Sequence, residues 1–146
     1  MTEQTLTPST RQRIEQSFAA QGLMQSMSAR LENLAPGHCS LAAPVQPAFS
    51  QQHGFAHAAA TFALGDNACG YAALSLLDDQ HDVLTSEMKI HLLAPAQGVE
   101  LVSRGEVIRP GRRLIITRAD VHARDAEGRE THVATLLGTI IPMRLK

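Results

Sequence analysis

The chain has 146 residues, 44% hydrophobic and 18% charged, with 10 glycines and 7 prolines, which suits one globular domain and excludes collagen-like, low-complexity and disordered classes. Its 13 basic and 14 acidic side chains leave a net charge of -1, so the basic surplus of a nucleic-acid binder is absent. Two cysteines are too few for a disulfide framework, the start lacks a signal-peptide pattern, and no uninterrupted apolar run reaches about 20 residues; a soluble, cytoplasmic protein with no nucleic-acid or membrane partner is expected.

Residues 9–21 carry Ile14, Phe18 and Ala19 on one helical stripe, with Ser9 or Thr10 as cap and Gly22 as stop. Two short apolar runs, 29–34 and 39–45, flank Pro36-Gly37 and predict a hairpin. Residues 58–77 are apolar on nearly every side, as a helix enclosed by other elements would be. From Glu87 to Leu92 the period changes to two, and further strands are expected at 99–108, 114–123 and 131–141. Their short connections exclude parallel crossovers. The order predicts an α+β fold with a mostly antiparallel sheet wrapped around the central helix. We expect one domain over 1–146, with 1–27 as an N-terminal helical extension.

Among residues that could carry chemistry, His53 and His57 lie four apart, a spacing that could share a metal on a helix. No acid stands between them, unlike the zinc-protease pattern, and no metal is expected. Cys69 lies 12 positions after His57, about 18 Å along a helix, and reads as a small core residue rather than a nucleophile. Asp66 admits two readings. It is either a carboxylate embedded in an apolar helix, where ionisation is costly and function frequent, or part of a Gly65-Asp66-Asn67 turn that caps a shorter helix. Arg109, Arg112 and Arg113 bracket Pro110-Gly111, which fits a solvated turn; guanidinium forks there could also hold phosphate.

The segments Gln51-Gln52-His53-Gly54-Phe55-Ala56-His57-Ala58-Ala59 and Leu64-Gly65-Asp66-Asn67-Ala68-Cys69-Gly70-Tyr71-Ala72-Ala73 resemble the signature of hotdog-fold acyl-CoA thioesterases of the PaaI-like group. That group has an Asp nine residues after the His, as here from His57 to Asp66. The likeness continues through residues 85–90, 93–96, 105–107 and 111–112, and ends in Val133-Ala134-Thr135 and Gly138-Thr139. The resemblance implies a hotdog fold with one unbroken central helix. It implies that Ala58 offers its backbone N–H as the oxyanion-hole donor, next to His57 at the helix start. Asp66 would be nucleophile or general base, Gln51 would lie near the attacking water, and Thr85 would assist the acid. The usual glycines after the His are Ala58 and Ala59 here; the N–H survives that change, while the added methyls narrow the acyl channel. CoA is then part of the substrate, no separate cofactor is implied, and Arg109, Arg112 and Arg113 become candidates for its phosphates.

A helix N-terminus suits the oxyanion of a tetrahedral intermediate. Yet Ala58 and Asp66 are eight positions apart, about 12 Å on a helix. One thioester carbonyl cannot meet both within one chain, so a homodimer sharing each site is expected, with further pairing into a dimer of dimers left open. Two rival functions keep the same fold: a non-catalytic acyl-CoA-binding module, and a hotdog hydratase or dehydratase.

Overall fold

The computed structural model describes residues 5–146. Helices α1 (Pro8–Ala19) and α2 (Gly22–Ser26) lead into strands β1 (Arg30–Ala35) and β2 (His38–Pro44). A short 3-10 turn at Pro47–Phe49 precedes the central helix α3 (Ala58–Leu74), and β3 (His81–Leu92), β4 (Glu100–Pro110), β5 (Ile115–Arg124) and β6 (Glu130–Arg144) complete the chain. All strand pairs are antiparallel, in the order β1-β2-β4-β5-β6-β3. The sheet wrapped around one helix is the hotdog architecture that the motifs imply.

Local chemistry accounts for most boundaries and corrects some of them. The cap of α1 is Thr7, whose hydroxyl accepts from the Thr10 N–H at 3.2 Å, rather than Ser9 or Thr10. Pro8 explains this, because a proline is best tolerated in the first turn. Gly22 does not simply stop the chain: it opens α2, with Gln21 preceding it in extended conformation. The β1–β2 hairpin turns at Gly37, whose φ of 74° lies in the left-handed region that glycine adopts at no steric cost. The turn reading of Gly65-Asp66-Asn67 is overturned, since α3 runs through it unbroken.

The core is the concave face of the sheet closed over α3. Leu64, Ala68, Cys69 and Ala72 of the helix are buried with Leu41, Leu101, Val121, Leu136 and Ile140 of the strands. Each large side chain so buried contributes about 1.5–3 kcal/mol. Small residues allow close docking: a Cβ at Gly105 would stand 2.5 Å from the Ala68 carbonyl. Ile14, Phe18, Met24 and Met27 bind α1 and α2 into the same core. Arg13 ties α1 to the far end of α3, donating to the carbonyls of Leu74, Leu77, Asp78 and His81 at 2.6–3.4 Å. The Leu74, Leu77 and Asp78 carbonyls lie in the last turn of α3 and its exit, where the intrahelical ladder runs out, and His81 opens β3. Among the described residues no helix is long and apolar enough to cross a membrane.

Candidate active site

The start of α3 is pinned before the helix begins. Ala56 donates its N–H to the Ala96 carbonyl at 3.0 Å, and His57 donates to the Phe49 carbonyl at 2.8 Å. His57 is the N-cap, and its Nδ1 accepts from the Ala59 N–H at 2.9 Å. The Ala58 N–H, one position earlier, has no partner among the described residues. Ala58 lines a cavity of about 500 Å³ together with Gln51, Phe55, Thr61, Leu93 and Val133 among others. A free N–H at the positive end of a helix is an anion site in waiting.

Gln51 shares that cavity. Its carboxamide oxygen accepts from the backbone N–H groups of His53 and Phe55 and so shapes the 51–55 turn. The amide nitrogen is left to donate elsewhere. His53 belongs to this turn rather than to α3, so His53 and His57 do not form a helical pair.

Asp66 lies mid-helix beside a second cavity, of about 400 Å³, which Thr85 of β3 also lines. The Thr85 hydroxyl donates to Asp66 Oδ1 at 2.7 Å. Burial pushes the carboxyl above its ordinary pKa of 3.8, against the opposing pull of the Thr85 hydrogen bond. The lining also includes the polar side chains of Ser17, Gln21, Tyr71 and Asp82, to which the sequence assigned no role. Tyr71 is the chain's single tyrosine, five positions after Asp66, and that spacing was the available signal.

The structure therefore gathers the candidates into two groups, Gln51, His57 and Ala58 at the helix start and Asp66 with Thr85 further along. Arg109, Arg112 and Arg113 stand apart from both. Their exposed turn follows Val107, whose N–H donates to the Gly37 carbonyl. The Gly37 N–H in turn donates to Ser75 Oγ at the C-terminal end of α3. The turn thus lies by that end, across a 17-residue helix that rises about 25 Å. Among the described residues none of the three guanidiniums has an ion-pair partner. Cys69 is fully buried, and desolvation pushes its thiol up to about 12, the opposite of an activated nucleophile.

A family model described as the thioesterase superfamily matches residues 53–129, a span that holds both groups from His57 onward. The chain is 39% identical to a thioesterase family protein of Silicibacter pomeroyi, across 93% of this chain and 99% of that one, with a TM-score of 0.90. At lower identity the fold is shared with the E. coli PaaI protein from the phenylacetic acid degradation operon, at 17% identity over 97% of each chain and a TM-score of 0.81. It is shared also with a Bacillus halodurans protein solved with CoA, at 21% identity over 92% of this chain and 84% of that one, TM-score 0.73. Matched over its helix and most of its sheet, the chain belongs to the thioesterase superfamily, a family of thioester hydrolases.

Proposed function

We propose that the protein hydrolyses an acyl-CoA thioester to the free acid and CoA, in a site assembled from two subunits. The observation that carries this reading is the division of the site. Ala58, with its free N–H, and the half-buried Asp66 line different cavities, about 12 Å apart along one helix. A reacting carbonyl needs both within about 3 Å, which a two-fold pair of chains provides twice. Strand β3 supports such pairing. It is bonded on one side only, by β6, and exposes Leu84 and Leu92 by more than half; its free edge leaves main-chain N–H and C=O groups for another strand to pair with.

In this reading the thioester oxygen accepts from Ala58 N–H, which stabilises the negative charge that develops there. Asp66 acts in one of two ways. As a base it removes a proton from water as the water oxygen adds to the carbonyl carbon; the C–S bond then breaks and the CoA thiolate takes up the proton. As a nucleophile it adds directly, expels the thiolate and forms a mixed anhydride that water hydrolyses. Thr85 holds the carboxylate, His57 fixes the helix start, and the Gln51 amide nitrogen holds the attacking water or the thioester oxygen. Arg109, Arg112 and Arg113 are free to meet CoA phosphates from the second subunit's side. The CoA in the Bacillus halodurans relative supports the choice of thioester. A CoA substrate and two buried free thiols fit a reducing, cytoplasmic setting.

The test is CoA release, followed with a thiol reagent across a panel of acyl-CoAs, for wild type and Asp66→Asn. The amide keeps the shape of the acid but can neither attack nor accept a proton. Turnover should fall on the order of 10²-fold or more with unfolding unchanged. Wild-type-like turnover by Asp66→Asn would remove Asp66 from the mechanism, and tight acyl-CoA binding without release by wild type would identify a binding module instead.

A further inference from the structure

The cavity beside Asp66 is closed by α1, a part of the chain that precedes the family-matched residues 53–129. Two polar side chains of this N-terminal region, Ser17 and Gln21, line it. Gln21 Nε2 donates to the Tyr71 hydroxyl at 2.7 Å, and the Ser17 hydroxyl lies 3.2 Å from the same oxygen. The Tyr71 ring is buried and packed edge-on to Phe18 of α1, with centroids 5.9 Å apart, so the hydroxyl is fixed. Arg13 anchors α1 independently through its four carbonyl contacts. What remains uncommitted is the Gln21 carboxamide oxygen, one of its N–H groups, and hydrogen-bonding capacity on Ser17.

Charge decides which part of a thioester meets this wall. The charged side chains lining the cavity are Asp66 and Asp82, and no Lys or Arg lines it. The phosphates of CoA are repelled from such a place, as is an acyl group ending in carboxylate. A neutral hydrogen-bonding group is not. From Asp66 to Tyr71 the helix advances about 7–8 Å, comparable with an extended six-carbon acyl chain.

Resting on the acyl-CoA reading, we infer that Gln21 and Ser17 are specificity residues, and that the cleft selects acyl groups carrying a neutral hydrogen-bonding substituent such as a hydroxyl. The experiment compares kcat/KM for hexanoyl-CoA, 6-hydroxyhexanoyl-CoA and adipoyl-CoA, with wild type, Gln21→Leu and Ser17→Ala. Wild type should favour the hydroxylated chain over the plain one by about 5-fold, what one neutral hydrogen bond provides, and disfavour adipoyl-CoA. Gln21→Leu should bring that ratio to about one or below, and Ser17→Ala should lower it part-way. A wall with a purely structural role would lose activity on both chains alike and keep the ratio. A wild-type ratio of one, or a ratio intact in both variants, overturns this inference and leaves acyl-CoA hydrolysis standing. Absence of hydrolysis on every acyl-CoA overturns the acyl-CoA reading, and this inference with it.

Discussion

Asp66 is held between two opposed influences, and the balance is measurable. Burial disfavours its charged form, while the Thr85 hydroxyl, donating at 2.7 Å, favours it. The net pKa is raised, so activity that requires the ionised carboxylate should fail, on acidification, at a higher pH than an ordinary aspartate would dictate. Thr85→Val removes the favourable donor and keeps the volume. The pKa should then rise further, and the acid limb of the kcat/KM profile should move to higher pH. A limb that stays in place, or moves to lower pH, would show that Thr85 does not tune the acid. The same residue shows what local sequence withholds. Gly65-Asp66-Asn67 has turn chemistry, yet Gly65 is a packing device inside the helix. A Cβ there would lie 2.7 Å from the buried Leu136 side chain, so packing against β6, not a turn, accounts for the glycine. The thioesterase motif points to Asp66 because it encodes the helix as a whole. It carries no trace of Ser17 or Gln21, which reach the cavity from 54 and 50 positions before Tyr71.

At the scale of elements, docking of α3 on β4 rests on one close approach. Gly105→Ala would set its methyl 2.5 Å from the Ala68 carbonyl and 2.8 Å from the Cys69 nitrogen, both backbone atoms within a helix. No rotamer change can relieve that contact. The helix must shift off the sheet, at a cost of about 1–3 kcal/mol or more, read as a lowered midpoint in thermal or urea unfolding. An unchanged midpoint would mean that the helix has room to slide. The strands were legible where the two-residue period is intact, as in β5, which alternates buried Ala119, Val121 and Ala123 with more exposed neighbours. Strand β3 was legible only in its second half. A register shift between Thr85 and Glu87 leaves Ser86 without a partner on β6 and breaks the alternation. Residues 81–85 precede that bulge on an edge strand with little to bury, so no pattern announces them. Chemistry and the bulge coincide there, since Thr85 is the last paired residue before the shift.

At the scale of the whole molecule, the proposed sharing of each site makes a prediction that no single-chain mechanism makes. If Ala58 of one subunit meets Asp66 of the other, and the reverse, the two α3 helices run antiparallel beside each other. An Asp66→Asn chain and an Ala58→Pro chain then carry complementary defects. Proline suits this position. Ala58 is the first residue of α3, its N–H makes no hydrogen bond within the described chain, and His57 before it is already extended at φ -64° and ψ 144°, the region a residue preceding proline prefers. The cap also survives, because His57 Nδ1 accepts from Ala59 rather than from Ala58. Each variant alone should be nearly inactive, one without the acid and the other without the oxyanion donor. In a mixed dimer one site inherits both defects and the other inherits neither, so each heterodimer should recover up to about half of wild-type activity. Co-expression with two affinity tags, isolation of the doubly tagged species and a CoA-release assay would measure this. Heterodimers without recovered activity would place acid and oxyanion hole in one chain, which the eight-residue separation along α3 forbids for these two groups, so one of the two assignments would have to move.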